Sequence, residues 1–422
     1  MNIIHGDCLE ELKKLEDNSI DAVVCDPPYG LSNTKPRQVA DVLKAWVTGD
    51  TKVVPAGKGF MGKDWDSFVP PPAVWEECMR VLKPGGHMAV FAGARTQDLM
   101  GLSIRLAGFE IRDTLGWIYG SGMPKSHDIS KAIDKAEGHW RGRAGRVISD
   151  NSSMSAPNYE RTPKGDPITD AAKQWDGWGT ALKPAIEPII LARKPLDGTV
   201  ANNVLAHGVG GLNIDACRVP SDAPIPSHHG TSGAAGVTMG KYRDYVPGSE
   251  TAASVENVQT AGRFPANVLL DEHAAKEMDE QSGVSVSSVR VNVEKDYTSS
   301  QSLTPDSGRG GDRGHTDSGG ASRFFPVFKY QAKAPKRERP VIEREDGSKI
   351  QHPTVKPLTL LEWLVELITP PNGIVLDPFA GSGTTLQAAL NKGFTPIGIE
   401  QDADYIKLIE KRLEATCTTH KN

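Results

Sequence analysis

Asp26-Pro27-Pro28-Tyr29 follows Asp21-Ala22-Val23-Val24-Cys25, a short and mostly apolar segment that has the composition of a buried strand. Each proline lacks an N–H group and has a fixed φ angle, so the backbone here cannot continue a β-ladder or a helix. Its carbonyl groups therefore stay free to accept hydrogen bonds. A carboxylate, two rigid backbone units and an aromatic ring stand in a row, a combination that suits the binding of an amino group.

The chemistry that fits such a site is methyl transfer to the exocyclic amino group of a nucleobase. If the Asp26 carboxylate and the Pro27 carbonyl each accept one N–H, the nitrogen moves toward sp3 geometry and its lone pair points at a sulfonium methyl group. Tyr29 then offers a ring on which the base stacks. A base reaches this pocket only from outside the duplex, at a cost of about a few kcal/mol. The alternative is that the four residues are only a strand-ending turn.

The composition excludes several classes of protein. No run in the 422 residues approaches the ~20 apolar residues of a membrane span, and the N-terminus lacks a signal sequence, so a cytoplasmic protein without a membrane partner is expected. The five cysteines are scattered, so neither disulfides nor a metal site are predicted. Since 48 Lys and Arg face 53 Asp and Glu, the formal net charge is −5, and DNA binding requires a local basic cluster.

The first 138 residues alternate between strand and helix patterns. A strand over residues 1–7, a helix over residues 8–15 and the strand before the tetrapeptide form a βαβ pattern. This pattern predicts a parallel sheet, in which ligands bind beyond the carboxyl ends of the strands. Asp7 and Asp26 both stand at such ends. The polar residues 31–68 predict a long loop that covers the tetrapeptide.

Regular alternation stops near His139 and returns after Glu345. The segment between them is rich in glycine and serine, and only residues 185–192 and 266–271 predict strands, which appear isolated. Two basic clusters accompanied by aromatic residues are the candidate DNA-binding sites, with solvated surface as the alternative. Their candidate residues are Arg141, Arg143, Arg323, Lys333, Lys336 and Arg337.

Residues 373–385, with the sequence Gly-Ile-Val-Leu-Asp-Pro-Phe-Ala-Gly-Ser-Gly-Thr-Thr, predict a buried strand, an acidic strand end, a glycine turn and a helix start. Glu400 ends the next strand 23 residues after Asp377. This spacing is close to the interval of about 20 residues at which an acid meets ribose hydroxyls in dinucleotide-binding folds. No lysine follows Gly383, which excludes a P-loop, and Leu386 stands where a dinucleotide fingerprint requires a small residue. The pattern therefore favours S-adenosylmethionine, a nucleoside without phosphates, over a purely structural turn.

The tetrapeptide, this turn and His352-Pro353-Thr354-Val355-Lys356-Pro357 together resemble the DNA amino-methyltransferases, the adenine-N6 and cytosine-N4 enzymes, in the motif order of their β group. The resemblance implies an α/β fold with a doubly wound, mostly parallel sheet, the Rossmann-like methyltransferase fold, and a large, loop-rich target-recognition insert. It divides the chain into a catalytic half (1–138), the insert (139–345) and a cofactor-binding half (346–422).

The resemblance also implies roles for individual residues. Asp26, Pro27, Pro28 and Tyr29 match the catalytic motif. An aspartate placed like Asp7 contacts the adenine of the cofactor, and an acid placed like Glu400 holds its ribose. The other predicted cofactor-binding residues are Lys356, Asp377, Phe379, Gly381, Ser382, Gly383 and Thr384.

The predicted function is transfer of a methyl group from S-adenosylmethionine to N6 of a flipped adenine in duplex DNA. Asp rather than Ser at the head of the tetrapeptide favours adenine, by resemblance alone. Cytosine-N4 transfer, an RNA or protein methyltransferase and a catalytically inactive DNA-binding relative are the alternatives. The target sequence, a partner restriction enzyme and the choice between monomer and homodimer stay open.

Overall fold

The computed structural model describes residues 2–32, 34–57, 59, 64–120, 122, 126–139, 141, 146–148, 159–161, 165–221, 225–226, 259–260, 262–286, 317–328, 340–344 and 346–419. The strands are β1 (Asn2–His5), β2 (Ile20–Cys25), β3 (Leu82–Phe91), β4 (Glu110–Ile118), β5 (Arg146–Ile148), β6 (Tyr159–Arg161), β7 (Ile186–Arg193), β8 (Ile225–Pro226), β9 (Gln259–Thr260), β10 (Val268–Asp271), β11 (Ser285–Val286), β12 (Ser318–Gly319), β13 (Val327–Phe328), β14 (Ile342–Glu343), β15 (Lys349–Ile350), β16 (Ile374–Asp377) and β17 (Thr395–Glu400). The α-helices are α1 (Cys8–Leu12), α2 (Pro36–Val47), α3 (Pro72–Val81), α4 (Gln97–Leu106), α5 (Ile129–Ala136), α6 (Asp170–Gln174), α7 (Val200–His207), α8 (Glu272–Ser282), α9 (Leu358–Ile368), α10 (Thr384–Asn391) and α11 (Ala403–Thr419). Among the described helices, none has the length and apolar character that a bilayer span requires.

Nine strands form one mixed, mostly parallel sheet in the order β1-β17-β16-β2-β3-β7-β4-β10-β13. The catalytic strand β2 lies beside the cofactor strand β16, with Val375 opposite Ala22. This pairing confirms the prediction that the two ends of the chain close a single sheet. The sheet and its helices also confirm the predicted α/β fold class.

Strand β7 runs opposite to its neighbours. It pairs antiparallel with β3, where Phe91 lies opposite Ile189 and His87 lies opposite Arg193, and antiparallel with β4 on its other side. Because the other strands of this sheet are mutually parallel, their carboxyl ends share one edge. The beginning of β7 therefore reaches that same edge, while Arg193 lies toward the opposite one.

The core lies on both faces of the sheet. One face buries large side chains of α3 and α4 against β2 and β3, including Trp75, Met88 and Ile104, and the other buries α9 and α10 through residues such as Leu360. Residues 31–68 are not the continuous loop that their polarity predicted. Helix α2 lies within them, because Val42 and Trp46, one turn apart, form a buried apolar stripe.

The chain divides into a larger unit, residues 1–120 and 186–422, and a smaller unit, residues 121–185. These boundaries differ from the predicted insert at 139–345. Strands β7, β10 and β13 fall within that predicted insert, yet all three belong to the large sheet. The two segments predicted as isolated strands pair there because their apolar residues are buried in it, Ile189 and Leu269 completely.

Asp21, a buried carboxylate in β2, connects the two halves of the sheet. Its Oδ2 accepts a 2.7 Å hydrogen bond from the Ile374 backbone N–H, and its Oδ1 accepts one of 2.6 Å from Lys83 Nζ. We expect Asp21→Ala to lower the free energy of unfolding by about 1–3 kcal/mol, because the part-buried Ile374 N–H loses its acceptor. Urea denaturation measures the change. Glu10→Ala, which removes an exposed ion pair with Lys13, is the control, and equal midpoints for both variants would contradict the prediction.

Candidate active site

The Asp26-Pro27-Pro28-Tyr29 segment leaves β2 at the carboxyl edge of the sheet and is held in place by neighbouring loops. The Tyr29 carbonyl accepts a 2.6 Å hydrogen bond from Thr96 Oγ1, and the Gly30 N–H donates one of 2.8 Å to Asp66 Oδ1. Gly30 has φ +66°, and a Cβ there would collide with the backbone of residues 68–69. The backbone turn that follows Tyr29 therefore requires glycine.

Four side chains from three distant segments meet beside this turn. Lys356 Nζ lies 3.2 Å from Asp26 Oδ1 and 2.8 Å from Glu187 Oε2. It also donates a 2.8 Å hydrogen bond to the Tyr29 hydroxyl, which itself donates to Glu187 Oε2 at 3.3 Å. One ammonium group is thus shared by two carboxylates and a phenol.

The two carboxylates of this cluster determine the protonation states of Lys356 and Tyr29. Burial alone would favour neutral Lys356, but the carboxylates of Asp26 and Glu187 outweigh burial and hold its pKa well above the ordinary value. Burial and the same two carboxylates raise the pKa of the Tyr29 hydroxyl well above its ordinary value. Lys356 is therefore a permanent cation at neutral pH, and Tyr29 is a neutral hydrogen-bond donor.

The segment from His352 to Pro357 spans two parts of the site. At one end, a Cβ placed on Gly381 would lie 3.0 Å from His352 Nε2, so the imidazole covers the glycine turn. At the other end Lys356 contacts the tetrapeptide rather than that turn. Sequence analysis grouped Lys356 with the cofactor-binding residues, whereas its nearest partners are Asp26, Tyr29 and Glu187.

The glycine turn after β16 is rigid. Gly381 and Gly383 have φ of +52° and +76°, in the left-handed region that glycine adopts without strain. Glu400 Oε2 accepts a 2.8 Å hydrogen bond from the Gly381 N–H. Arg412 Nε donates to the Ser382 carbonyl at 2.7 Å, and Ser382 Oγ lies 3.2 Å from Thr384 Oγ1.

Asp377 closes β16 and is almost completely buried. Its Oδ1 accepts a 3.0 Å hydrogen bond from the Phe379 N–H, and the Phe379 ring packs against Trp75 with centroids 6.1 Å apart. Burial raises the pKa of Asp377 to about 7, with Asp26 and Glu400 adding to the shift and hydrogen bonds from Thr385 and Phe379 opposing it. The carboxyl group therefore titrates in the physiological range.

Asp7 and Glu400 follow or end neighbouring strands. The Gly6 N–H donates a 3.0 Å hydrogen bond to the Glu400 carbonyl, which extends the β1 and β17 pairing up to Asp7. Asp7 Oδ1 caps helix α1 by accepting from the Leu9 and Glu10 N–H groups at 3.0 and 3.2 Å. A carboxylate oxygen has two lone pairs, so these acids retain capacity to accept hydrogen bonds from a ligand.

These residues fit the cofactor that the sequence predicted. Three carboxyl groups, those of Asp7, Asp377 and Glu400, gather at adjacent strand ends around a glycine turn and suit hydroxyl, amino and cationic groups. Arg412, the guanidinium beside the turn, is engaged by Ser382 and Gln387. The donor set thus suits a nucleoside with a cationic tail better than a phosphate ester, as expected for S-adenosylmethionine.

Two of the predicted DNA-binding arginines, Arg141 and Arg323, form ion pairs with acids of the protein itself. The side chain of Arg141 is 1% exposed, its Nε lies 2.6 Å from Asp134 Oδ2, and its Nη2 donates to Ser130 Oγ at 2.7 Å. Arg323 Nε donates to Asp317 Oδ2 at 2.9 Å, and its guanidinium lies over the Phe324 ring. The basic residues Arg143, Lys333, Lys336 and Arg337 lie outside the described residues.

Glu187 is not among the residues that the sequence pattern predicted. It is the second residue of β7, within a segment assigned to the insert. Its signal was a single acid among apolar residues in Ile186-Glu187-Pro188-Ile189-Ile190, since a charged residue on a buried strand requires a partner.

The chain matches a family model described as DNA methylase, for N6 and N4 enzymes, over residues 20–411. It is 23% identical to the type II methyltransferase M.HindIII of Haemophilus influenzae, over 97% of this chain and 94% of that protein. A short segment, 15% of this chain and 21% of the relative, is 48% identical to the DNA adenine methyltransferase YhdJ of Escherichia coli.

Solved structures of similar chains include an M1.HpyAVI complex with S-adenosylmethionine (15% identity, TM-score 0.38, 98% of both chains) and the cytosine-N4-specific PvuII DNA methyltransferase (13% identity, TM-score 0.42, 97% of this chain and 85% of that one). The family assignment does not depend on these structural similarities, because the family model matches most of the chain. The chain belongs to the N6/N4 DNA methylase family and is an S-adenosylmethionine-dependent DNA methyltransferase.

Proposed function

We propose that this methyltransferase acts on the exocyclic N6 of an adenine flipped out of duplex DNA. The observation that carries the proposal is the Asp26 carboxylate at the carboxyl end of β2, beside the Tyr29 ring and 3.2 Å from a single shared cation. An acceptor, a rigid carbonyl and an aromatic ring in that order suit a planar base that carries an amino group.

Each residue of the tetrapeptide has a proposed role. Asp26 and the Pro27 carbonyl accept the two amino N–H groups and orient the nitrogen lone pair, and Asp26 stabilises the positive charge that develops there. The rigid Pro28 fixes the path of the backbone. Tyr29 supports the base by stacking while its hydroxyl is held by Lys356 and Glu187.

The cofactor-binding roles are likewise proposed. When bound, S-adenosylmethionine supplies an electrophilic methyl group on a sulfonium centre. Glu400 and Asp7 would accept hydrogen bonds from its ribose and its adenine, and Asp377 would offer a carboxylate to its cationic tail. Phe379, Gly381, Ser382, Gly383 and Thr384 shape the turn that admits the ligand. Its left-handed glycines let the backbone approach closely.

Adenine is preferred to cytosine on two grounds. Asp26 heads the tetrapeptide, and a segment of the chain is 48% identical to a DNA adenine methyltransferase. For DNA contacts we propose the basic residues Arg143, Lys333, Lys336 and Arg337. Arg141 and Arg323 are not proposed, because acids of the protein engage them.

Product analysis tests the proposed function. Duplex DNA incubated with the enzyme and methyl-labelled cofactor is digested to nucleosides, and N6-methyladenine is the expected labelled product. Asp26→Ala is expected to lower the rate of transfer by about 100-fold or more, because one oriented polar group typically contributes about 10²–10³ in kcat. N4-methylcytosine as the product would overturn the adenine assignment, and label in RNA but not in DNA would overturn the proposed substrate.

Lys356→Met tests the position of Lys356. The substitution leaves Asp26 and Glu187 facing each other without a cation, so transfer is expected to fall by about 100-fold as the site loses its geometry. Cofactor affinity, measured by calorimetry, is expected to stay unchanged, since Lys356 contacts the tetrapeptide. Lost affinity with intact folding would return Lys356 to the cofactor-binding residues. Lys392→Met, which breaks an ion pair with Glu366 between helices, is the control.

The pKa of Asp377 predicts a pH dependence of cofactor binding. Burial raises this pKa to about 7, and a cationic ligand favours the ionised carboxylate, so binding below pH 7 requires the loss of a proton. Affinity is therefore expected to rise with pH between about 5.5 and 7.5, by up to about tenfold for each unit below 7. Burial also raises the pKa of Glu400, so calorimetry on Asp377→Asn separates the two acids. An unchanged pH profile in this variant would contradict the assignment to Asp377.

A further inference from the structure

Glu187 reaches the active-site edge only because β7 is antiparallel to its neighbours. The strand is fixed on both sides, since Glu187 lies opposite Trp117 of β4 and the Pro188 carbonyl accepts a 2.9 Å hydrogen bond from the Ala92 N–H. Pro188 removes one backbone donor and restricts φ directly after Glu187. The carboxylate is thus delivered to the cluster from a rigid strand rather than from a loop.

The contacts of Glu187 are concentrated on one oxygen atom. Glu187 Oε2 accepts from Lys356 Nζ at 2.8 Å and from the Tyr29 hydroxyl at 3.3 Å. Lys356 Nζ lies closer to this oxygen than to Asp26 Oδ1, at 3.2 Å. The Lys356 ammonium group therefore sits between the two carboxylates and lies nearer to Glu187 than to Asp26.

We propose that Glu187 is a positioning residue for methyl transfer. It draws the Lys356 ammonium group away from Asp26, which keeps an Asp26 oxygen available to the amino group of the base, and it anchors the Tyr29 hydroxyl so that the ring faces the base. The inference rests on the proposed function, because it requires Asp26 to bind that amino group.

Charge distinguishes this role from that of a structural ion pair. Two carboxylates share one ammonium, so the cluster carries one net negative charge. A pair formed by Lys356 and Asp26 alone would be neutral, and it would bring the ammonium group against the carboxylate that the base requires. Glu187 thus supplies the surplus negative charge beside a nitrogen that becomes positive during transfer, and its contribution is larger in the transition state than in the bound complex.

Glu187→Gln tests the inference because it keeps the shape of the side chain and removes its charge. We expect kcat to fall by about 100-fold, the effect of a small misplacement at a reacting centre, while KM for DNA, cofactor affinity and the thermal unfolding temperature stay near the parent values. Glu187→Asp keeps the charge and is expected to recover part of kcat. A purely structural role would not produce this separation of kcat from KM and stability.

Glu110→Gln is the matched control. Glu110, on β4, forms an ion pair with Arg193, the last residue of β7, with Oε2 2.7 Å from Nη2. The variant therefore removes one carboxylate charge from a contact of β7 at the end of the strand away from the tetrapeptide. Its kcat is expected to equal that of the parent.

Three outcomes would overturn the inference. The first is a parent-like kcat in Glu187→Gln, and the second is a loss of kcat in Glu110→Gln equal to that in Glu187→Gln. The third is a kcat in Glu187→Asp no higher than that in Glu187→Gln. If Glu187→Gln does not fold, the comparison of Glu187→Asp with the parent decides, and an unchanged KM with a lowered kcat is then required. A parent enzyme that transfers no methyl group to adenine in DNA refutes the proposed function instead. The two failures are therefore distinguishable.

Discussion

The ammonium group of Lys356 holds three distant parts of the chain at one point. It joins Asp26 after β2, Glu187 at the start of β7 and the segment that leads into α9. Without this cation, two carboxylates would face each other in a partly buried place, where like charges repel strongly. Strand β2 pairs with β16, and β3 pairs with β7, so the strands that carry or neighbour these residues belong to one sheet.

The three acids Asp26, Asp377 and Glu400, which the sequence alone predicted, share one property: each follows or ends an apolar run in a strand and helix alternation. Asp26, Asp377 and Glu400 were predicted at one edge because parallel strands end there, and they follow or end β2, β16 and β17. Glu187 begins its strand, which in a parallel sheet would place it at the opposite edge. Strand direction is set by pairing with distant segments and not by local composition, so its position required the structure.

A cluster of basic residues in the sequence does not by itself show that those residues bind DNA. Arg141 and Arg323 stand in basic clusters, yet each has an acid seven or six residues earlier, Asp134 and Asp317, that engages its guanidinium. Hydrogen bonds to the Asp134 carboxylate from Thr169 and Ile168, together with Arg141, hold the pKa of Asp134 below its ordinary value despite burial. The Arg141 guanidinium is buried against Asp134, and Arg323 donates to Asp317, so each positive charge is already paired with an acid of the protein. A count of basic and acidic residues along the sequence does not show which arginines are paired in this way.

In the proposed function, the positions of the acids determine which of them affect the rate of transfer and which affect cofactor binding. A positive charge moves from the cofactor side of the site to the amino nitrogen beside Asp26. On this proposal Asp377 and Glu400, near the glycine turn, stabilise that charge most before transfer, so their contribution is to cofactor binding. Asp26 and Glu187 stabilise it most after it has moved, and only interactions that strengthen toward the transition state raise kcat. Lys356 offsets one of these two charges and fixes their geometry, which leaves a single negative charge where the reaction requires it.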